Sequence, residues 1–445
     1  MSGIATTGDH RAAGRLRRIL GVGFGLAVII GSTLGVGILR APGLVADQIH
    51  ASSTIIMVWV AGGFYTLLGS ICLTELGTTA PQAGGYYVYA RRAFGDHVGF
   101  AVGWTDWVTY CAVLGYVSIA MSEFLGQLVP ALAGAVRPVA IALLVSFVLL
   151  QWAGVRVSSR FQEWTTALKC LAFLALVVAA LAMSGRTTGG AATSAAAAPS
   201  PLTLVGLVGA LQLVVIAYGG WQSALYFTEE DRDPARNLPR AMIGGVLAVI
   251  VIYVLVNVAL LVILPIPDLA RSTLPAADAA RRIVGARGGQ LITVLSIISL
   301  PPLLNAIMMI GTRILFAMGR DRLFWSRTAD VNAGGTPGVA TLVTTAVAIA
   351  LIATGTFPRL VAMASFFLAI NYAICCLALV VLRRREPDLP RPFRAWAYPW
   401  SAAIVVAGAL AFLAGVLIGD TANAAAALGL LAAGLIGRAL IGRAR

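Results

Sequence analysis

Twelve stretches of this chain are apolar over a length that can cross a lipid bilayer. They lie at about 19–46, 54–76, 97–129, 136–155, 160–183, 203–228, 240–264, 287–318, 337–356, 359–382, 397–418 and 421–441. Roughly 20 apolar residues make a helical crossing, and lipid offers the backbone no water to bond with. The pattern therefore predicts an all-α integral membrane protein with twelve transmembrane helices. Composition points the same way. Of the 445 residues, 59% are hydrophobic and 11% charged, against roughly a quarter charged in soluble domains.

A formal charge of +14 raises the possibility of a nucleic-acid partner, but the arginines argue against one. They stand in short clusters between apolar runs, with no basic face or tail. With the N-terminus placed in the cytoplasm, the inner segments hold Arg11, Arg15, Arg17 and Arg18, then Arg91 and Arg92, then Arg156 and Arg160, and so on to Arg438, Arg443 and Arg445. The outer segments hold Arg40, Arg137, Arg186, Arg271, Arg281, Arg282, Arg287 and Arg359. The bias is about threefold and predicts that both termini are cytoplasmic. The first run, preceded by "RAAGRLRRIL" and continuing into "RAPGLVADQ", reads as a retained span, not a signal peptide. The stretch 184–202 is rich in small residues and reads as an external linker between two halves, 19–183 and 203–382. On this division 1–18 is a cytoplasmic tail, and 383–445 carries the last two spans and the C-terminus. Five cysteines and three histidines show neither a disulfide framework nor a metal-ligand spacing, and no cofactor is indicated.

Two of the runs are interrupted. The first contains "GSTLGVGILRAPG" and the sixth contains "AYGGWQS". Glycines at the centre of a membrane helix weaken it, and a break leaves backbone groups that protein, water or a ligand must satisfy. Interrupted spans at positions one and six suggest two inverted halves with a transport site between them. The outer half of span 1 would begin at Gly35, Val36 and Gly37, and its free N–H groups and positive dipole end suit a carboxylate. Carbonyls around Ser32 and Thr33, and around Ile216, Ala217, Tyr218 and Gly219, suit an ammonium group. An α-amino acid carries both. The alternative is that the glycines only let helices pack closely.

Lys169, the one lysine in the chain, lies within an apolar run. Such a residue is costly unless paired or hydrated and is a functional candidate; the alternative is that it snorkels to the cytoplasmic interface. Asp106 in span 3 is a candidate proton-coupling acid, although a position at the cytoplasmic end of the span is the preferred reading. Asn305 in span 8 either supports the Lys169 region or holds helices together. Glu75 is expected to pack at the cytoplasmic side of span 2. Glu229 and Glu230 follow span 6 as inner-gate ion-pair partners or as a solvated cluster.

In the order of its motifs, the chain resembles the amino acid–polyamine–organocation transporters, and within them the L-type amino acid transporter branch and its bacterial relatives. The resemblance rests on "GSTLGVGIL", "ELGTTAPQAGGYYVYARRAFG", "AYGGWQSALYFTEEDRDPARNLPRAM", "TRILFAMGRDRLF" and "RREPDLPRPFRAWAYPW", which together cover about 20–400. It implies the leucine-transporter-like fold, with two inverted five-helix repeats, broken helices 1 and 6, and two peripheral helices. It also implies sodium-independent transport, with Lys169 standing where sodium sits in relatives. The chain departs from the branch at Val36, where a serine is common, and at Ile216, where a phenylalanine usually caps the substrate. Gln222 replaces an asparagine or aspartate near the side-chain pocket. The cysteine that ties a glycoprotein partner to the eukaryotic members is absent from "QLVPALAGAVRP", so no disulfide-linked heavy chain is expected, only a monomer or homo-oligomer in the bilayer.

These features predict a plasma-membrane permease for a neutral amino acid, working by exchange or proton symport. A polyamine or cationic amino acid is the alternative substrate. A channel or a membrane-embedded enzyme is the alternative class, and no nucleophile–base or metal constellation supports an enzyme.

Overall fold

The computed structural model describes residues 16–191, 203–285, 287–419 and 421–443. Most of the expected cytoplasmic tail, and residues 192–202 of the expected linker, lie outside the described residues. The chain opens with α1 (Val22–Thr33) and α2 (Val36–Gln48), followed by α3 (Ser52–Thr79), α4 (Tyr86–Phe94), α5 (Asp96–Leu128), α6 (Val136–Trp152) and α7 (Val155–Ala191). The second half holds α8 (Leu204–Ala217), α9 (Pro234–Ile263), α10 (Ile266–Arg271), α11 (Pro275–Val284), α12 (Arg287–Arg320), α13 (Gly338–Thr354) and α14 (Phe357–Arg385). It closes with α15 (Trp400–Gly419) and α16 (Thr421–Arg443).

Among the described residues, seven helices are long and apolar enough to cross a membrane: α3, α5, α7, α9, α12, α14 and α15. The pair α1 and α2, bent by 45° at its break, makes an eighth if it is taken as one span. Shorter apolar helices, α6, α8, α13 and Ala424–Ile436 within α16, fall in the four remaining apolar runs. α7 continues to Ala191, past the point where the linker was expected to begin.

Burial separates the centre of the bundle from its edge. In the apolar window of α5, 83% of residues are buried, and in α12 72%, whereas α7 and α15 bury 28% each. α5 packs on α12, α3 on α9, and α2 on α8. α1 lies between α7, α9 and α12. A helix that is apolar all round belongs inside a bundle or against lipid, and the polar residues of α5 fit the first of these. Thr105, Asp106, Thr109, Ser118 and Ser122 are all buried there. Asp106 is 1% exposed and accepts a hydrogen bond from the Tyr226 hydroxyl at 2.8 Å. The preferred reading, an acid at the cytoplasmic surface of its span, is therefore corrected. Tyr226 packs edge-on against Tyr86 and Tyr110, and these rings keep Asp106 inside the bundle.

One end of the bundle is fastened by charge. Arg313 on α12 and Glu230 are both fully buried and paired twice, at 2.9 and 3.1 Å. Glu229 accepts from Arg320 at 2.8 Å and from the Ala83 N–H at 2.9 Å. Arg91 pairs with Asp321 at 2.7 Å. Glu75, 1% exposed, receives Arg383 at 2.8 Å, Arg391 at 3.2 Å and the Ala395 N–H at 2.6 Å. A buried ion pair stands only when both partners are present, since one alone is an uncompensated charge. Glu230 is thus not part of a solvated cluster.

Candidate functional site

α1 ends at Thr33 and α2 begins at Val36, so the first break occupies Leu34 and Gly35. The last carbonyls of a helix have no partner within it, and here the next residue supplies one and other helices supply two. The Leu34 N–H bonds the Ile30 carbonyl at 2.9 Å. Lys169 Nζ, on α7, donates to the Gly31 carbonyl at 2.8 Å. The Tyr253 hydroxyl, on α9, lies 2.7 Å from the Thr33 carbonyl. Lys169 is fully buried and aimed at the break, so it does not snorkel.

Lys169 closes a polar stripe along α7. Gln162 Nε2 reaches the Ala27 carbonyl at 3.2 Å, and Thr166 Oγ1 reaches the same carbonyl at 3.0 Å. Positions 162, 166 and 169 share one face of a helix. Asn305 stands behind this stripe, donating to Gln162 Oε1 at 2.8 Å and to the Ser158 carbonyl at 3.1 Å, and accepting from Gln151 at 2.7 Å. It supports the residue that precedes Lys169 by two turns.

The second break is built differently. α8 ends at Ala217, residues 218–222 turn, and the chain resumes as a 3₁₀ helix, Ser223–Phe227. The Gly219 N–H bonds the Ile216 carbonyl at 2.9 Å, and the Gly220 N–H bonds Gln222 Oε1 at 3.3 Å. Ser223 Oγ donates to the Gly220 carbonyl at 2.6 Å. Gly220 has φ +116°, a left-handed conformation that favours glycine, and a Cβ there would stand 2.8 Å from the Ser32 carbonyl.

The two breaks meet. Ser32 Oγ lies 3.0 Å from the Gly220 carbonyl and 2.8 Å from Ser223 Oγ. Tyr253 reaches the Ala217 carbonyl at 2.8 Å as well as that of Thr33. Beside this junction lies a cavity of about 490 Å³, bordered by Ser32, Thr33, Gly35, Gly37, Ile216, Ala217, Gly219 and Gln222. That volume is within the range for small-molecule sites. Thr33 Oγ1 is buried there without a hydrogen-bond partner among the described residues. Gln222 is held on both sides: Nε2 donates to the Tyr110 hydroxyl at 3.3 Å, and Oε1 receives the Tyr372 hydroxyl at 3.3 Å.

Tyr218, Val36 and Gly37 differ in what they present to the cavity. Tyr218 does not reach the cavity with its side chain. The ring is fully buried between Trp59 and Tyr253, and its hydroxyl donates to the Trp59 carbonyl at 3.1 Å. An aromatic at the last turn of α8 finds more contact against α3 and α9 than in an open space. Val36 opens α2 and offers its backbone N–H at the helix start. Gly37 borders the cavity but also lets α2 press on α8, because a Cβ there would stand 3.0 Å from Ala217 Cα. The packing reading of the glycines therefore applies at Gly37. Tyr253 and Ser223 were missed by sequence reasoning. Tyr253 is one tyrosine in a span whose other polar residues are Arg240 and Asn257, and only the fold brings it to both breaks.

Comparison with known proteins covers nearly all of this architecture. The model of the amino acid permease family matches residues 25–437. The serine/threonine exchanger SteT of Bacillus subtilis is 27% identical over 417 residues, 93% of this chain and 94% of that protein. The human large neutral amino acids transporter small subunit 2 is 27% identical over 391 residues, 85% of this chain and 72% of that protein. The mouse Asc-type amino acid transporter 1 is 28% identical over 394 residues, 85% of this chain and 73% of that protein.

Proposed function

Since the chain belongs to the amino acid permease family, and so is a multi-pass membrane transporter of that kind, we propose that it carries a neutral L-amino acid by alternating access without sodium. The observation that carries this reading is the junction of two broken helices at one cavity. In the proposed pose, the substrate carboxylate meets the N–H groups of Gly35, Val36 and Gly37 at the start of α2. The ammonium meets the carbonyls of Thr33 and Ala217 and the Thr33 hydroxyl. The side chain lies toward Ile216 and Gln222. A diamine or polyamine would leave the start of α2 without an anion, which ranks it second.

We read the four short apolar helices as spans too, giving twelve crossings with cytoplasmic termini in a plasma membrane. The packing of α2 on α8, α3 on α9 and α5 on α12 supports two inverted repeats, since each pair joins a span to the one five places later. The fastened end, rich in arginine, is then cytoplasmic and closed, and the cavity serves the outer side. Lys169 holds the first break in the place that sodium would occupy, and so couples α7 to α1.

The test is uptake of labelled amino acids into proteoliposomes containing the purified chain, with and without internal amino acid, a pH gradient and sodium. Saturable uptake of neutral amino acids, inhibited by unlabelled competitors and indifferent to sodium, is expected. Sodium-dependent uptake, or uptake of amines in preference to amino acids, would overturn the reading. Acceleration by internal amino acid distinguishes exchange from proton symport.

A further inference from the structure

Among the described residues, every side chain bordering the cavity is uncharged except Arg40. It lies on α2 one turn beyond Gly37, and a long side chain on a helix leans back toward the helix N-terminus. Its guanidinium therefore adds to the positive end of α2 rather than opposing it. Glu123 on α5 stands 4.0 Å from the Arg40 guanidinium, with the two side chains 38% and 41% exposed. Glu123 does not border the cavity. The pair is loose and half-hydrated, of a kind that contributes little to stability. The positive member borders the cavity, and the negative member does not.

We propose that Arg40 is a specificity-determining residue that rejects substrates of net positive charge at the mouth of the cavity, with Glu123 moderating its field. A neutral amino acid approaches as a zwitterion and presents its carboxylate to Arg40 and the start of α2. A cationic amino acid or a diamine brings uncompensated positive charge past a fixed guanidinium, in a space whose other borders are mostly apolar. Rejection of this kind works by placing a repulsive group against the wrong ligand. A single-charge interaction across ~10 Å at an effective dielectric near 20 corresponds to roughly tenfold in affinity. The inference rests on the amino acid reading of the cavity.

The experiment measures inhibition of neutral amino acid uptake in proteoliposomes by lysine and by putrescine, for the wild-type chain and for R40Q, R40K and E123Q. R40Q should become about tenfold more sensitive to both cationic competitors, while R40K keeps the wild-type pattern. E123Q should move the other way by a smaller factor, and added salt should shrink both differences. Unchanged sensitivity in R40Q with intact neutral uptake would overturn the proposal. So would equal kinetic changes in R40Q and E123Q with no change in charge selectivity, because the pair would then act as a latch. Failure of the wild-type chain to take up any neutral amino acid would instead overturn the amino acid reading.

Discussion

The two helix breaks solve the same problem by opposite means. At the second break the chain largely satisfies itself: Gly219 bonds back to Ile216, Gly220 to the side chain two residues on, and Ser223 to Gly220. At the first break, two of the freed carbonyls are met by side chains from other spans, Lys169 of α7 and Tyr253 of α9. The second break is mostly a local fold, joined by Tyr253 of α9 at the Ala217 carbonyl and by Ser32 of α1 near the Gly220 carbonyl. The first leans more on the rest of the bundle: α7 reaches it alone, and α9 reaches both breaks. Movement of α7 therefore acts on the site through the first break.

Substitutions can test that contrast, and we order them by expected effect. Gly37→Leu should abolish uptake, because a branched side chain cannot fit where even a Cβ stands 3.0 Å from the Ala217 backbone. The more sparing Gly37→Ala, compared for uptake and for thermal stability, separates loss of binding from loss of α2–α8 packing. Lys169→Met should reduce uptake more than tenfold. Leaving the Gly31 carbonyl unsatisfied costs about 1–3 kcal/mol, and a drop in uptake well beyond the fall in melting temperature would assign the lysine a transport role. Tyr253→Phe removes the hydroxyl from both breaks and should raise the apparent KM several-fold; an unchanged KM would detach α9 from the site. Ser223→Ala should have the smallest effect, about 0.5–1.5 kcal/mol, since the Gly220 carbonyl still accepts from the backbone N–H of residue 223 at 3.0 Å. If Ser223→Ala proved more damaging than Tyr253→Phe, the contrast between a local and a remote break would fail.

Much of this was legible in the sequence, and the parts that were not share a cause. The apolar runs mark the helices because lipid admits little else, and the glycines mark both breaks because a broken helix needs residues with short or absent side chains. Lys169 drew attention through its cost in an apolar run. Contacts between distant spans were not readable. Tyr253 looks like any span tyrosine until α9 packs beside α1. Asp106 looked like a span end because Arg91 and Asp96 precede it closely, yet α5 is long enough to carry it well into the bundle. The partner of Glu230 lies 83 residues away on α12, beyond any local pattern. Tyr218 went wrong for the reverse reason. Its neighbours Ala217 and Gly219 both border the cavity, and adjacency in sequence does not decide which way a ring turns at the end of a helix.

The Tyr253 hydroxyl carries a single hydrogen, yet two carbonyls lie within its reach, at 2.7 and 2.8 Å. One hydrogen cannot serve both fully, so the two carbonyls share it. An ammonium group has three, so the proposed ligand would bring a donor for each carbonyl, and the shared hydrogen can pass from one broken helix to the other as they shift.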